Sequence, residues 1–357
     1  MLTFIVINSI LLAIALLLVI AEKFLVTYGE CSVILNGDKT FNVMGGESVL
    51  AYLNQHKLFI PSACGGKATC GFCKLKVLSG GGNILPTEEV YVTKQESKEG
   101  YRLACQVKVK KDVNIYIPEY LLGAQEYESV ASEIIQLTHD INILKLKILG
   151  DKKIKFLPGQ YVQFKIPGTD EYRAYSVASS PDNTDYVELI IRLVPGGLCS
   201  TYVHKVLETG EKVIFTGPFG DFYLREETDT DIVAIGGGAG MAPIRSILYY
   251  LASRGMKRKF YYFFGARTAQ DLFFTKELKE VEKEFPNFKY IPAIQDPEPK
   301  DNWEGEVGFV TQAAEKFLDK TSKKTAYLCG PPPMIDAAVT VLARKNIQPE
   351  DIHYDKF

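Results

Sequence analysis

The chain begins with a continuous apolar segment. Residues 1–21 carry no charged side chain, and the first charges are Glu22 and Lys23. At about 1.5 Å per helical residue, roughly 20 such residues match the ~30 Å hydrocarbon core of a bilayer. The pattern therefore predicts a transmembrane helix over residues 1–22. A cleaved signal peptide is the alternative, although the segment has no basic start and no A-x-A pattern before the first charges.

The hydrophobic pattern changes twice after this segment. Residues 24–120 alternate strand-like runs with turns, and residues 124–226 contain β-branched runs such as VELIIRLV that predict a β-barrel. Over residues 229–357, apolar strands such as DIVAIG and TAYLCG alternate with helical patterns, which is typical of a parallel α/β sheet. We therefore expect a multidomain chain of the α+β and α/β classes, with the clearest boundary at residues 118–126.

Composition and charge narrow the possible partners. The 357 residues are 46% hydrophobic, so the chain can bury several cores, and its formal net charge is only −2. A nucleic-acid-binding protein needs a basic surface, which this balance does not indicate. The only basic residue near the apolar segment follows it, and this predicts that the rest of the chain lies on the cytoplasmic side of the membrane.

Three cysteines share one glycine-rich loop, PSACGGKATCGFCKLKV at residues 61–77, and a fourth lies in RLACQV. Disulfides are disfavoured in a reducing compartment, and seven cysteines is an odd number for a disulfide framework. Zinc and iron–sulfur clusters both accept four thiolates, but zinc sites usually pair two C-x2-C knuckles, so this spacing favours a cluster over zinc. The four candidate ligands are Cys64, Cys70, Cys73 and Cys105.

Glycines in the same loop support this interpretation. Gly65, Gly66 and Gly71 allow the backbone conformations that a loop wrapped around a cluster requires. Their exposed amides can also donate hydrogen bonds to sulfur. Cys31 lies in the strand-like run ECSVIL and is interpreted as a core thiol instead of a ligand.

The loop and its flanks, SVLAYLNQHKLFIPSACGG and GYRLACQVKVKKDVNIYIP, resemble a β-grasp [2Fe-2S] ferredoxin. The resemblance implies that Cys64 and Cys70 hold one iron and that Cys73 and Cys105 hold the other. Five residues separate the first two ligands, where plant-type members have four, so the loop is longer here.

Four motifs in the barrel region resemble the flavin-binding half of the ferredoxin-NADP reductase family: PGQYV, RAYSVASSP, PGGLCSTYV and GPFGDF, in this order. A guanidinium, two glycines and a helix start suit the pyrophosphate of FAD. The resemblance implies that Tyr175 stacks on the flavin and that Ser176 lies near its N5 atom. An ordinary tyrosine of a barrel core is the alternative for Tyr175. The other implied FAD residues are Arg173, Gly196, Gly197, Ser200 and Thr201.

The last region opens with DIVAIGGGAGMAPIRSIL, where an apolar strand runs into a glycine turn and then a helix. Amides at such a helix start can bind a pyrophosphate. The turn is not the G-x-G-x-x-G fingerprint, but it resembles the reductase family's own turn at Gly237, Gly240, Ala242 and Pro243. In YLCGPPPM, the resemblance places Cys329 and Gly330 beside the nicotinamide. A buried strand cysteine is the alternative for Cys329.

The acidic residues after the strand YIPAIQ favour NADH over NADPH. Asp296, Glu298 and Asp301 would repel the 2′-phosphate of NADPH. Arg267 in FGARTAQDLF is a cation that would attract this phosphate, so NADPH stays the alternative.

The chain ends in the aromatic residue Phe357. Reductases of the resembled family often cover the flavin face with such a residue, and an unattached terminus is the alternative. His353 and Asp355 are nearby candidates for proton handling.

The whole chain resembles the F subunits of Na+-translocating NADH:quinone reductases. This implies a single-pass protein of the cell inner membrane that passes hydride from NADH to FAD, and then single electrons through a [2Fe-2S] cluster to integral-membrane partner subunits. The stretch between Tyr161 and Arg173 is short, where many F subunits carry an insertion, and no sodium site is expected in the soluble part. The alternatives are a reductase component that feeds an oxygenase, or a membrane-anchored carrier with a degenerate NADH site.

Overall fold

Residues 2–25, 28–118, 121–169 and 171–356 are described by the computed structural model of the chain. The chain divides into two units, Met1–Leu122 (unit 1) and Gly123–Phe357 (unit 2). Unit 1 holds one β-sheet and unit 2 holds two.

Helix α1 covers Leu2–Leu25, as the apolar segment predicts. Apolar side chains such as Phe4, Leu12 and Leu17 are exposed along it. Within the described ranges, however, the structure contains no helix that combines the length and the apolar character needed to cross a membrane. The expected membrane anchor therefore stays a prediction.

The sheet of unit 1 has five strands in the order β2-β1-β5-β3-β4. Strands β1 and β5 are parallel, and the other neighbours are antiparallel. Alternating burial along β1 shows why the sequence forms a strand with one face on the core. The strands are β1 Glu30–Leu35, β2 Lys39–Met44, β3 Lys74–Ser79, β4 Tyr101–Leu103 and β5 Val113–Tyr116.

Two short helices complete unit 1: α2 at Val49–Gln55 and α3 at Lys94–Lys98. The Ser48 hydroxyl caps α2 by accepting a hydrogen bond from the backbone N–H of Ala51. Val49 and Leu53 of α2 are buried against the sheet core. Cys31 is buried in the same core, which confirms the interpretation of this residue as a core thiol.

The first sheet of unit 2 is antiparallel, with six strands in the order β10-β7-β6-β11-β8-β9. A β-bridge between Val177 and Leu189 joins the two ends of this order, so the sheet is nearly closed into the expected barrel. Helix α4, Leu198–Lys205, follows β10. The strands are β6 Gln125–Gln136, β7 Ile141–Ile148, β8 Tyr161–Lys165, β9 Tyr172–Ser176, β10 Tyr186–Arg192 and β11 Lys212–Phe219.

The second sheet of unit 2 is parallel throughout, in the order β15-β14-β13-β12-β16-β17. The fold class expected from the sequence is thus confirmed for all three sheets. The strands are β12 Asp231–Gly237, β13 Phe260–Ala266, β14 Phe288–Ile294, β15 Glu306–Val307, β16 Lys324–Gly330 and β17 Ile352–Lys356. The helices are α5 Met241–Ala252, α6 Thr275–Glu284, α7 Val310–Phe317 and α8 Pro332–Arg344.

Strand β12 lies where the strand order of the parallel sheet reverses, between β13 and β16. Ligands of open α/β sheets bind beyond the carboxyl ends of the strands at such a position. The topology therefore predicts a ligand site at the glycine turn that follows β12.

Candidate functional site

The cysteine loop of unit 1 connects α2 to β3 and depends on its glycines. Gly65, Gly66 and Gly71 have φ angles of +63°, +86° and +72°. A Cβ at position 71 would also lie 2.6 Å from the ring of Tyr91, whose hydroxyl donates to the carbonyl of Thr69 at 2.7 Å. Glycine is therefore required at position 71 by conformation and by space.

The four predicted cysteines approach one another as two pairs. The Cys70 thiol donates to the Cys64 sulfur at 3.4 Å. The Cys73 thiol is hydrogen-bonded to Cys105, and both residues are buried. These hydrogen bonds lower the pKa of Cys64 to about 4 and the pKa of Cys105 to about 7. All seven cysteines are free thiols, so the disulfide alternative receives no support.

A dinuclear cluster fits this arrangement. A [2Fe-2S] cluster takes two thiolates per iron, and the pairs Cys64/Cys70 and Cys73/Cys105 are those that the ferredoxin resemblance implies. The hydroxyl of Ser62, two residues before Cys64, is buried and has no hydrogen-bond partner among the described residues, so it has a proton to donate there.

A buried ion pair that the sequence did not reveal lies next to the strand before Cys105. The Glu88 carboxylate accepts from the Arg102 guanidinium at 2.6 and 2.9 Å and from the backbone N–H of Leu103 at 2.9 Å. Burial raises the pKa of Glu88, but the hydrogen bonds outweigh it and the net pKa is lowered. The pair holds the strand that leads to Cys105.

The predicted flavin residues of β9 lie on one strand of the barrel, next to β8. The guanidinium of Arg173 pairs with Glu171 at 2.6 Å, so a pyrophosphate would share this cation with a carboxylate. Tyr175 packs against the barrel core, and burial raises its pKa. Ser176 is half-buried at the end of β9, opposite Tyr161.

The predicted glycines precede α4. Gly196 has a φ of +72°, and Gly197 is the N-cap residue of the helix. The Ser200 hydroxyl accepts from the backbone N–H of Val194 at 3.1 Å, so it stabilises the turn itself. The Thr201 backbone N–H donates to the carbonyl of Gly197 at 2.9 Å. The Leu198 and Cys199 amides at the helix start are therefore better placed to meet a phosphate than the Ser200 hydroxyl.

The glycine turn after β12 packs directly against the end of β16. A Cβ on Gly240 would overlap the carbonyl oxygen of Cys329. Cβ atoms on Gly237 and Gly330 would lie 3.0 and 2.8 Å from the side chain of Met334. Ala242 and Pro243 are buried in the first turn of α5. The structure thus brings the predicted residues of both motifs together.

A crevice of about 660 Å³ opens at this edge of the parallel sheet. Gly237, predicted from the sequence, lines it, and so does Arg267. Arg267 lies 3.4 Å from the carboxylate of Asp296, and both side chains are exposed. Other lining residues were missed because they are far away in the sequence: Thr138, His139, Asp140, Arg192, Gln295 and Phe309.

Cys329 on β16 and Asp355 on β17 are register partners, so they lie side by side on neighbouring parallel strands. The Cys329 thiol is fully buried, and burial together with the nearby Asp355 raises its pKa well above the usual range. Burial raises the pKa of Asp355 to about 6. The ring of His353 lies 5.4 Å from that of Tyr327, and burial lowers the pKa of His353. Phe357 lies outside the described residues.

Three family models match consecutive parts of the chain. They are the 2Fe-2S iron-sulfur cluster binding domain at residues 33–110, the oxidoreductase FAD-binding domain at 129–223 and the oxidoreductase NAD-binding domain at 234–340. Together with the fold, they define an iron–sulfur flavoprotein of the pyridine-nucleotide oxidoreductase class, with FAD, a [2Fe-2S] cluster and NADH as cofactors and substrate.

Relatives of known name cover almost the entire chain. The chain is 34% identical to the F subunit of the Na(+)-translocating NADH-quinone reductase of Neisseria meningitidis, over 98% of this chain and 96% of the relative. The identity to the corresponding protein of Serratia proteamaculans is also 34%, over 98% and 97%. The chain therefore belongs to the family formed by the F subunits of Na(+)-translocating NADH-quinone reductases.

Solved structures support the fold independently. The Amycolatopsis cytochrome P450 reductase GcoB is similar with a TM-score of 0.74 and 29% identity, over 92% of this chain and 98% of that one. The ferredoxin reductase in carbazole 1,9a-dioxygenase is similar with a TM-score of 0.71 and 26% identity, over the same shares.

Proposed function

We propose that the chain is the NADH-oxidising subunit through which electrons enter a membrane-bound quinone reductase of the Na+-translocating type. One observation carries the proposal: a paired set of four cysteines and a nucleotide crevice at a sheet switch point occur in one chain, joined by a flavin-type barrel. When bound, FAD accepts the two electrons of a hydride and the cluster transfers electrons singly.

In unit 1, the four thiolates would hold the cluster. Cys64 and Cys70 are the more exposed pair, whereas Cys73 and Cys105 anchor the other side in the core. Within each pair the shared hydrogen bond lowers the pKa of one thiol, Cys64 or Cys105, and raises the pKa of the other, Cys70 or Cys73. The glycines of the loop keep the backbone close to the cluster without obstructing side chains.

In the barrel, the residues of β9 and α4 would hold FAD. Arg173 offers a forked cation to the pyrophosphate, and Gly196 and Gly197 let it approach the start of α4. Tyr175 presents an aromatic ring for stacking. The Ser176 hydroxyl is assigned to the edge of the flavin where hydride arrives.

In the parallel sheet, the crevice would hold NADH. Gly237 and Gly240 bring the turn against β16, so the amides at the start of α5 face the pyrophosphate, and Ala242 and Pro243 keep that first turn packed. Gly330 and the buried Cys329 end the strand that this turn packs against, and we assign them to the nicotinamide side of the crevice by the resemblance. Asp355 is the neighbour of Cys329 on the adjacent strand, and its half-buried carboxyl has a pKa raised to about 6. Phe357 is proposed to cover the flavin face.

Preference for NADH over NADPH is supported by the pairing of Arg267 with Asp296. The carboxylate offsets the charge of Arg267, which would otherwise attract a 2′-phosphate, and the neighbouring Glu298 is itself paired with Lys300 at 2.6 Å.

We also propose that α1 anchors the chain in the cell inner membrane, with units 1 and 2 in the cytoplasm. The exposed apolar side chains of α1 and the basic residue after the apolar segment support this placement. The electron acceptors are then integral-membrane subunits of the same complex. No sodium site is assigned to the soluble part of the chain.

An EPR spectrum of the anaerobically purified chain after NADH addition tests the proposed function. We expect a rhombic [2Fe-2S] signal and a flavin radical, with two irons and two acid-labile sulfides per chain by chemical analysis. A single zinc without sulfide would contradict the cluster assignment. Absence of NADH-dependent dye reduction by FAD-loaded protein would instead indicate a carrier without a working NADH site.

A reductase component that feeds an oxygenase is the second candidate function, because the similar structures of the Amycolatopsis and carbazole 1,9a-dioxygenase proteins are reductases of that kind. Purification from native membranes separates the two possibilities. Co-isolation with polytopic membrane subunits supports the quinone reductase, and co-isolation with a soluble hydroxylase supports the alternative.

A further inference from the structure

A groove of about 440 Å³ opens on unit 1 beside the proposed cluster ligand Cys105. Cys105 and its neighbour Gln106 line the groove, and the amide of Gln106 donates to the Cys105 sulfur at 3.6 Å. Three exposed lysines complete its lining toward solvent: Lys108, Lys110 and Lys111. A molecule that enters this groove therefore comes next to a cluster ligand.

The turn at residues 80–82 forms another part of the lining. Gly80 has a φ of +84°, and a Cβ there would overlap the carbonyl of Asp112, the residue after Lys111. Arg102 donates to the carbonyls of Gly81 and Gly82, each at 2.9 Å. Arg102 is itself buried and paired with Glu88, so these hydrogen bonds hold the turn in place.

The charged side chains that line the groove are all positive. No acidic residue lines it, and among the described residues no carboxylate pairs with any of the three lysines. The nearest acid in the sequence, Asp112, accepts a hydrogen bond from the backbone N–H of Ser32 at 2.8 Å and lies outside the lining. This local excess contrasts with the net charge of −2 of the whole chain.

We infer that this groove, residues 80–83 with Gln106, Lys108, Lys110 and Lys111, is the surface on which unit 1 docks an acidic loop of its electron-accepting membrane subunit. The inference rests on the proposed function. Positive charge steers a negatively charged partner and orients it, and the position beside Cys105 gives that partner a close approach to the cluster. A concave site suits protruding carboxylate side chains, and a lipid headgroup would have no reason to be next to a redox centre.

The first experiment compares two triple variants of the full-length chain in the purified complex. Lys108→Gln/Lys110→Gln/Lys111→Gln removes the groove charges. Lys39→Gln/Lys94→Gln/Lys98→Gln removes three exposed charges elsewhere on unit 1, so both variants have the same net charge. At low ionic strength we expect the groove variant to reduce quinone about tenfold more slowly than the wild type, and the control to stay within about twofold.

Two further measurements serve as internal controls: the dependence of quinone reduction on ionic strength, and the reduction of the cluster by NADH. Raising the ionic strength from about 0.05 M to about 0.5 M is expected to slow the wild type toward the groove variant and to leave the groove variant nearly unchanged. Reduction of the cluster by NADH, followed by its visible absorbance, is expected to be equal in all three proteins. Equal quinone reduction by the groove variant and the wild type would overturn the docking surface. Failure of NADH to reduce the wild-type cluster would instead overturn the proposed function.

A second experiment identifies what occupies the groove. A zero-length carbodiimide joins lysines to carboxylates that touch them, and we expect cross-links from Lys108, Lys110 or Lys111 to acidic residues of a membrane subunit. Cross-links only from lysines outside the groove would contradict the assignment. Sedimentation with phosphatidylglycerol or phosphatidylcholine vesicles tests the lipid possibility. Because α1 is expected to bind both kinds of vesicle, the relevant quantity is the extra binding to phosphatidylglycerol over phosphatidylcholine. Loss of this extra binding in the groove variant alone would assign the groove to lipid and overturn the inference.

Discussion

At the scale of single residues, Gln106 is placed to adjust the proposed cluster. Its amide donates to the Cys105 sulfur at 3.6 Å, and its carbonyl accepts from the Thr87 hydroxyl at 2.9 Å. A donor to a thiolate ligand stabilises the reduced, more negative state of a cluster, so Gln106→Leu is expected to lower the midpoint potential. A neutral hydrogen bond of about 0.5–1.5 kcal/mol corresponds to about 20–60 mV for one electron.

The measurement is a potentiometric titration followed by EPR. Thr87→Val is the matched variant, because it removes only the contact that orients the amide, and we expect a smaller shift in the same direction. A potential unchanged in Gln106→Leu would show that the amide does not act on the cluster.

Asp355 gives a pH-dependent contribution to stability. Its carboxyl has a pKa raised to about 6 by burial in the folded chain, against about 3.9 when unfolded. Between pH values of about 4 and 6, the folded state therefore binds more protons than the unfolded state. The contribution of Asp355 to stability is present below about pH 4 and is lost as pH rises through about 6.

Comparison of denaturant unfolding of the wild type and Asp355→Asn between about pH 4 and pH 7 checks this sign. We expect the stability of the wild type relative to the variant to decrease across this window. Parallel pH profiles of the two proteins would contradict the raised pKa of Asp355. Asp351→Asn, which changes another half-buried acid of the same segment, provides the control.

Single residues also show which parts of the site could be predicted from the sequence and which could not. The four cysteines are recognisable from their spacing, because ligand type and separation follow from the chemistry of iron–sulfur sites. Glu88 and Arg102 were not singled out, because an ion pair between residues of two different segments leaves no periodic signal. The hydrogen bond from the Val194 backbone N–H to the Ser200 hydroxyl was likewise not foreseen, and Ser200 stays a predicted FAD residue.

At the scale of secondary-structure elements, the contact between the β12–α5 turn and β16 is the most restrictive in unit 2. Gly240→Ala would place a methyl group onto the carbonyl of Cys329 and force the turn away from the strand. The preceding residues Gly237 and Gly238, which line the crevice, would then move, so we expect NADH affinity to fall by about tenfold or more.

Gly255→Ala separates this effect from ordinary backbone strain. Gly255 has a φ of +80° but no neighbour that a Cβ would meet, so this variant is expected to cost about 1 kcal/mol of stability and to keep NADH affinity. NADH titration by flavin fluorescence, together with thermal unfolding, measures both quantities. Normal affinity in Gly240→Ala would show that the turn does not position the nucleotide.

The elements themselves were largely predictable. Alternating burial in β1 and the continuous apolar run of β12 reflect one-sided and two-sided burial, which a sequence displays directly. The crevice was only partly predictable, because Thr138, Arg192 and Phe309 come from three different connections or strand ends. Their proximity depends on the strand order, which local patterns do not encode.

At the scale of the whole molecule, the role of α1 is the main prediction. A chain that lacks residues 1–25 is expected to leave the membrane fraction after a carbonate wash, whereas the full-length chain stays with it. Units 1 and 2 have their own cores, so the truncated chain is expected to keep NADH-dependent dye reduction within about twofold. Immunoblotting of the washed membranes measures the distribution. Retention of the truncated chain after the wash would show that α1 is not the anchor.

The sequence by itself determined the order of the modules, the chemistry of each cofactor site and most strands and helices, because ligand types, glycine turns and hydrophobic periodicity are local properties of the chain. Only the tertiary structure decided the contacts within each cysteine pair, the buried ion pair between Glu88 and Arg102, the lining of the crevice and the basic groove. These features join residues that are distant in sequence, and their proximity is set by how strands are ordered and how side chains share buried space.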